Sequence, residues 1–336
     1  MLLLTHYKLV AKVKGNHLKQ KNPLKKGIVI KSTGSWYTVK TEDGKFIESR
    51  IKGNLRIQGI RSTNPIAVGD QVELTEMKED NKADLLVGLI HKIIPRRNYI
   101  IRKSPNLSKE SHIIAANIDQ AFLVVTIQFP VTTTTFIDRF LVSAEAYRIP
   151  CHLIFNKIDL YNEDYTHQMN NLIQIYEAAG YQCLKLSAVN NIGLEELRNM
   201  MQNKTNVFSG HSGVGKSTII NSFQPNLKIK TGDISEAHFS GKHTTTNSEM
   251  FELDFGGYII DTPGIKGFGV LDMEKEEISH YFPEMFKLLD ECQYYNCTHT
   301  HEPQCAVKKS VEEGKISQSR YNSYLGLLEG EERYRN

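Results

Sequence analysis

The sequence predicts a multidomain α/β protein with an N-terminal small β-barrel, a central α/β domain on a parallel sheet, and a C-terminal helical module. Three observations favour this division: an uneven charge distribution, a change of hydrophobic periodicity after the first third, and a Cys/His cluster near the end. A chain of 336 residues exceeds the usual size of one compact domain. With 40% hydrophobic and 24% charged residues, the composition is that of a folded protein and excludes collagen, coiled coil and disorder for the whole chain.

The net charge of +3 conceals a basic first third. Residues 1–110 contain 22 Lys and Arg against 10 Asp and Glu, whereas the remainder contains 19 against 28. Such a segment is typical of one that meets a polyanion, with nucleic acid as the first candidate, although a solubilising surface gives the same excess.

The basic third divides into a Lys-rich arm, residues 1–23, and a barrel, residues 24–95. Short β runs separated by turns indicate the barrel: Gly27–Lys31, Trp36–Thr41, Lys45–Ile51, Gln71–Thr75 and Leu85–Ile94. Five short strands fit an OB-fold, and a small barrel of another type would give much the same pattern. Trp36, Tyr37 and Phe46 are candidates for stacking on bases or for core positions.

A polar linker, residues 96–110, precedes the α/β pattern of residues 111–270. Apolar runs predict parallel strands at Ala121–Thr126, His152–Phe155, Cys183–Leu186 and Asn206–Ser209. Helices are expected at Phe136–Arg148 and Leu194–Gln202, and a hairpin at 248–255 and 257–260. Residues 271–336 form the helical module, with helices at Glu274–Leu289 and Ser317–Glu332.

The clearest motif fits GxxxxGK[ST] and lies between a strand and a helix. Its residues are Gly210, His211, Ser212, Gly213, Val214, Gly215, Lys216 and Ser217, followed by Thr218. The glycines allow backbone N–H groups to point at phosphates at the positive end of a helix. Lys216 is then expected at the β- and γ-phosphates, and the Ser217 hydroxyl on Mg²⁺.

Two further motifs follow predicted strands and indicate guanine binding. The first is NKxD, formed by Asn156, Lys157, Ile158 and Asp159. The Asp159 carboxylate can accept two hydrogen bonds from guanine, a donor pair that adenine lacks, so adenine would leave it unpaired. Asn156 would support the loop, and the Lys157 stem would lie over the base. The second motif is the Ser187–Ala188 pair, whose backbone would contact the guanine O6.

A DxxG motif, Asp261 to Gly264, ends the last strand. Asp261 is expected to hold Mg²⁺ through water and the Gly264 amide to sense the γ-phosphate. One threonine hydroxyl of the stretch 241–246 would complete the Mg²⁺ shell, and Thr246 is favoured over its neighbours Thr244 and Thr245. Ile265 stands where many GTPases have a glutamine that orients water, so slow intrinsic hydrolysis is expected. His243 is a candidate to position that water; a structural or solvent-facing role fits it as well. Together these motifs predict a GTPase.

The order of the motifs is permuted. NKxD and the Ser187–Ala188 pair precede the phosphate loop, and DxxG comes last, so the same site is assembled with the chain ends moved. Over nearly the whole chain this order closely resembles the RsgA family (also called YjeQ or YloQ), circularly permuted GTPases of small ribosomal subunit biogenesis. The resemblance implies an OB-fold N-terminal domain, GTP hydrolysis stimulated by the small subunit, and a role in late maturation.

Three of the five cysteines cluster with a histidine as Cys292, Cys297, His299 and Cys305. Three thiolates and one imidazole suit a closed structural Zn²⁺ site, and a disulfide framework is not expected. His301 is an alternative ligand, although the family resemblance favours His299. The other two, Cys151 and Cys183, are expected to be small buried residues.

The leading hypothesis is a GTPase that binds the small ribosomal subunit and its rRNA and converts GTP to GDP. An alternative is a GTP-gated RNA-binding module with negligible turnover; a zinc-dependent nucleic-acid enzyme is disfavoured because protein fills all four ligand positions. We further expect a monomer. No membrane partner and a cytoplasmic location are expected, since no apolar run approaches about 20 residues and the opening Leu2–Leu4 run is too short for a signal peptide.

Overall fold

The computed structural model of the chain describes residues 23–52, 65–78, 86–103, 111–225, 248–261 and 273–330. Nearly all of the predicted basic arm, residues 1–23, lies outside these ranges. No helix within them is both long and apolar enough to cross a membrane.

A closed five-stranded barrel opens the described chain. Its strands are β1 (Lys25–Thr33), β2 (Trp36–Thr41), β3 (Phe46–Ile51), β4 (Gln71–Lys78) and β5 (Leu86–Ile93). They follow the order β1-β2-β3-β5-β4, and pairing of β1 with β4 closes the ring. Alternate residues point inward, so Tyr37 is 1% exposed and belongs to the barrel core, whereas the Phe46 ring lies outside at 62% exposure. Of the predicted stacking aromatics, Tyr37 is therefore excluded.

The described part of the predicted linker contains a strand. Strand β6 (Tyr99–Lys103) pairs with β7 (Ser111–Ala116) in an antiparallel hairpin. Ile100 is fully buried there against the core of the α/β domain. The apolar residues at 99–101 thus outweigh the basic, polar character on which the linker prediction rested.

Among the described residues, the main sheet of the α/β domain contributes six strands, and four helices accompany it. In chain order these are β8 (Gln120–Val125), α1 (Thr134–Ala146), β9 (Cys151–Phe155), α2 (Glu163–Ala178), β10 (Gln182–Lys185), α3 (Leu194–Met201), β11 (Thr205–Ser209), α4 (Lys216–Phe223), β12 (Glu249–Glu252) and β13 (Tyr258–Asp261). The sheet order is β10-β9-β8-β11-β13-β12, in which β12 alone is antiparallel to its neighbour within the domain. Chain order reverses between β8 and β11, and ligands of such sheets bind beyond the strand ends at this point.

The barrel and the α/β sheet are continuous. Lys31 of β1 pairs with Glu249 of β12, which joins the two parts into one sheet of eleven strands.

The C-terminal module packs on α1. The stretch predicted as one helix, 274–289, is broken into a 3₁₀ segment Lys275–Tyr281, the short helix α5 (Pro283–Phe286) and a 3₁₀ turn that begins at Leu289. Proline disfavours the helical region for the residue before it, and Phe282 has φ −110° and ψ 98°. Two helices follow, α6 (Ala306–Glu312) and α7 (Gln318–Leu328).

Candidate nucleotide site and metal centre

The phosphate loop joins the fully buried strand β11 to helix α4. Gly210, Gly213 and Gly215 have φ values of 138°, 80° and 99°, a region that favours glycine. A Cβ on Gly210 would lie 2.3 Å from the Val124 carbonyl oxygen, and one on Gly215 would lie 2.3 Å from Asn156 Nδ2. The loop is therefore packed directly against the ends of β8 and β9, where only glycine fits.

Lys216 lies within the curve of this loop. Its Nζ donates to the carbonyls of Gly210 and His211 at 2.8 and 2.7 Å. Ser217 follows in the first turn of α4 and is half-buried, and Val214 is fully buried beneath the loop. The Lys216 ammonium and the helix N-terminus thus lie at one place, a combination that binds phosphate.

The NKxD residues hold the phosphate loop from the side. The buried Asn156 donates from Nδ2 to Val214 O at 2.8 Å, and its Oδ1 is buried with no hydrogen-bond partner among the described residues. Lys157, at φ 65°, reaches Gly213 O at 2.6 Å and Phe129 O at 2.5 Å. The Lys157 stem therefore spans the gap between two loops.

The Ser187–Ala188 turn contacts the NKxD motif. The buried Ser187 donates from Oγ to Asp159 Oδ1 at 2.5 Å and accepts from the Asn190 amide at 3.2 Å. Ile158 begins the 3₁₀ turn Ile158–Leu160, which leaves the Asp159 side chain exposed at the rim. The structure thus brings residues 156–159, 187–188 and 210–217 together at one edge of the sheet.

Two supporting contacts escaped the sequence reasoning. Tyr161 donates from its hydroxyl to Asn156 O at 2.7 Å and accepts from the Ile127 amide at 2.9 Å, fixing the NKxD loop to the loop after β8. Phe136 of α1 stacks on His211 with ring centroids 3.8 Å apart. No linear motif links these residues; Tyr161 following NKxD closely is the one available signal.

The DxxG region is described only at its start. Asp261 ends β13, which runs parallel to β11, so this strand end lies beside the phosphate loop. The other residues predicted to act in hydrolysis lie outside the described residues: His243, Thr246, Gly264 and Ile265.

The Cys/His cluster forms a compact set of donors. The ligand atoms of Cys292, Cys297, His299 and Cys305 all lie within 4.8 Å of one another. His299 Nδ1 is 3.6 Å from Cys292 Sγ and 3.4 Å from Cys305 Sγ, close to the ligand separations of about 3.4–3.8 Å that a tetrahedral zinc site produces. His301, in contrast, is exposed and bonds to Thr300. The donor set fits a metal ion.

Burial favours the neutral imidazole in the cluster. It lowers the pKa of His299, which favours the form that binds metals. Burial likewise raises the pKa of the Cys297 thiol to about 12, so a bound cation is needed to hold the thiolate. The cluster therefore gains strongly from a divalent ion.

Helix α7 and the Glu302 carboxylate hold the loop at residues 298–302, which carries His299. The Tyr321 hydroxyl donates to His299 O and the Tyr324 hydroxyl to Thr298 O, each at 2.6 Å. Glu302 accepts from the Thr298 amide at 2.8 Å and the Thr300 amide at 3.0 Å. Partial burial would raise the pKa of Glu302, but these hydrogen bonds outweigh it and hold the pKa at about 2. The loop is thus held in place by bonds other than those to a metal.

Sheet order and motif order together define a class. A phosphate loop on a central strand, preceded in the chain by the base-recognition motifs and followed by a Cys₃His module, is a circularly permuted P-loop domain with two appended domains. The unpermuted order would begin at β11.

Known proteins share this arrangement. The family model described as RsgA GTPase matches residues 93–271, and that described as RsgA N-terminal domain matches residues 26–84. The chain is 58% identical over 307 residues to the small ribosomal subunit biogenesis GTPase RsgA 2 of Bacteroides thetaiotaomicron, covering 91% of this chain and 97% of the relative. It is also 58% identical to the RsgA of Flavobacterium johnsoniae, covering 92% and 94%.

Two solved structures agree. YjeQ from Thermotoga maritima superposes with a TM-score of 0.74 at 35% identity, covering 92% of this chain and 98% of that one. YloQ, described as a circularly permuted GTPase, gives 0.71 at 30%, covering 93% and 96%. The chain belongs to the RsgA GTPase family. The predicted family, fold class and enzyme class, a GTP hydrolase, are confirmed.

Proposed function

We propose that this chain binds the small ribosomal subunit and hydrolyses GTP to GDP and phosphate during late subunit maturation, with the subunit stimulating hydrolysis. The observation that carries the proposal is the permuted guanine-nucleotide site, in a chain whose relatives are named small ribosomal subunit biogenesis GTPases at 58% identity. Such a partner places the protein in the cytoplasm, and the subunit's rRNA is the polyanion for the basic barrel. We propose that the protein is a monomer.

Within the site, nucleotide binding divides between the loops. Residues 210–218 hold the phosphates through backbone N–H groups and Lys216, while Asp159 accepts from guanine. Asn156 Oδ1, buried and without a hydrogen-bond partner among the residues that the structure describes, is an acceptor for a ligand donor. Ser217, Thr246 and Asp261 offer the oxygen donors that Mg²⁺ prefers, and the bound ion would neutralise charge on the β- and γ-phosphates.

For hydrolysis, we assign the γ-phosphate contact to the Gly264 amide and the orientation of the attacking water to His243. Isoleucine at position 265 cannot hydrogen-bond that water, so unstimulated turnover is slow. The alternative, a GTP-gated RNA-binding module, rests on the same residue and would show no subunit-dependent turnover.

We further propose that Cys292, Cys297, His299 and Cys305 hold one structural Zn²⁺. Three sulfur donors and one nitrogen favour zinc over magnesium or calcium, and four protein ligands leave no open position for catalysis.

The test is the single- and multiple-turnover GTPase rate measured with small subunits, large subunits or free RNA added. Stimulation by small subunits supports the proposal. Equal rates in all four conditions, including the protein alone, would exclude it, and negligible single turnover with small subunits would favour the alternative.

A further inference from the structure

Two ion pairs join the barrel to β12, which pairs with β13, the strand that ends at the first residue of DxxG. Lys31 Nζ lies 3.1 Å from Glu249 Oε1, and Lys40 Nζ lies 2.5 Å from Glu252 Oε2. Lys40 also donates to the hydroxyl of Tyr258 on β13 at 3.5 Å. Each of these two lysines lies more than 200 positions before its glutamate partner in the sequence.

Strand β12 occupies a sensitive position in the nucleotide domain. In the chain it follows the segment that carries Thr246, and it pairs with β13, which ends at Asp261. The register places Lys31 opposite Glu249 and Glu249 opposite Asp261. One row across three neighbouring strands thus connects a barrel lysine to the first residue of DxxG.

The same lysines belong to the outer face of the barrel. Lys31, opposite Thr38, and Lys40 point outward together with Trp36, because alternate residues of β2 face the core. Lys40 Nζ is 6.0 Å from the centroid of the exposed Phe46 ring, and the Arg50 guanidinium covers the Trp36 ring at 3.7 Å. A basic and aromatic surface of this kind suits phosphates and unpaired bases.

Solvent access makes the ion pairs exchangeable. The side chains are 42% exposed for Lys31, 39% for Glu249, 18% for Lys40 and 51% for Glu252. The Lys31–Glu249 pair, open to water on both sides, is weak, and the Lys40–Glu252 pair is open on its carboxylate side, whereas an RNA backbone presents several phosphates at once. A polyanion on the outer face can therefore take these ammonium groups away from the two carboxylates.

We propose that Lys31 and Lys40 are positioning residues that couple the barrel to GTP hydrolysis. In the free protein the two lysines restrain β12 through Glu249 and Glu252. RNA phosphates at the outer face compete for the lysines and release β12. The release alters the neighbouring end of β13, which carries Asp261 at the nucleotide site. RNA favours the released state because only there are both lysines available to it, the differential affinity that such a shift needs. This inference rests on the proposed function.

The decisive variant is Glu249→Gln with Glu252→Gln, which breaks both ion pairs and keeps every basic residue of the barrel. We expect basal GTP turnover to rise at least about 5-fold, the lower end of measured allosteric couplings, while turnover at saturating small subunits stays within about two-fold of the wild type. Subunit affinity should be unchanged or tighter. The matched control is Glu76→Gln, which breaks the 2.5 Å pair with Lys25 between two strands of the barrel. It should leave the basal and the subunit-stimulated turnover unchanged.

The lysine side provides a second arm. Lys40→Met should raise basal turnover as well but weaken subunit binding, whereas Lys45→Met, at a barrel lysine that pairs with Asp43 instead, should weaken binding alone. An unchanged stimulation factor in the double glutamine variant would overturn the coupling, as would basal and stimulated rates that fall together. Absence of stimulation in the wild type would instead overturn the proposed function itself.

Discussion

Arg320 of α7 is the residue whose loss should most weaken the attachment of the C-terminal module. It is 1% exposed and donates from Nη1 to Asp138 of α1 at 2.8 Å. Nε and Nη2 bond the two oxygens of Glu284 at 2.7 and 3.0 Å, and the guanidinium carbon is 4.6 Å from the Phe282 ring centroid. The buried Asp138 also accepts from the Tyr176 hydroxyl at 3.0 Å.

Replacing Arg320 by Met keeps most of the volume and removes the charge. Two carboxyl groups, one fully buried, then lose their cation, a change that typically costs about 3–5 kcal/mol. At about 2–4 °C per kcal/mol for a body of this size, the thermal midpoint should fall by about 6–20 °C. Calorimetry of the full chain measures this. The exposed Arg198→Met, which breaks a 3.8 Å pair with Glu195 on α3 and removes the guanidinium 5.1 Å from the Phe255 ring centroid, should shift the midpoint by less than about 2 °C.

The variant should also acquire a pH dependence. Burial raises the pKa of Asp138, and the guanidinium is the strongest group opposing that rise. Without it the folded carboxyl binds a proton that the unfolded chain has released, so stability falls as pH rises from the unfolded carboxyl pKa toward the folded one. The deficit relative to the wild type should therefore grow as the pH rises from acidic toward neutral values.

A neutral triple variant completes this test. Arg320→Met with Asp138→Asn and Glu284→Gln removes all three charges of the hydrogen-bonded network and should recover most of the lost midpoint, because replacing a buried ion network is often neutral. If Arg320→Met alone costs less than about 1 kcal/mol, or the triple variant recovers nothing, the charges do not hold this interface.

Three other predictions concern the nucleotide site and the metal. Gly215→Ala should abolish GTP binding measured by titration, since its Cβ would lie 2.3 Å from Asn156 Nδ2; Gly314→Ala, at φ 71° with open space around it, should leave binding unchanged. Asp159→Asn should lower GTP affinity at least about 100-fold and favour xanthosine triphosphate, whose C2 oxygen accepts from the new amide, and retained GTP preference would contradict that role. Cys305→Ser should reduce bound zinc, measured by elemental analysis, and expose the module to protease while turnover without subunits persists; full zinc content would exclude this ligand set.

The sequence alone predicted those features whose interacting residues lie close together along the chain. The phosphate loop, NKxD and the Cys/His cluster each span fewer than about fifteen positions, and their chemistry dictates both residue types and spacing. Their order along the chain was sufficient to reveal the permutation. The prediction of one helix over 274–289 missed the break at Pro283, although the restriction before proline is local.

Tertiary structure decided what links distant segments within and between the three domains. Within the α/β domain Tyr161 meets Ile127, and between domains Arg320 meets Asp138 and Lys31 meets Glu249, through contacts that no linear pattern specifies. The strand hidden in the predicted linker likewise depended on Ile100 finding a core to enter. Local sequence thus determined the chemistry of each site, whereas burial and strand pairing between distant segments determined how barrel, nucleotide domain and metal module are joined.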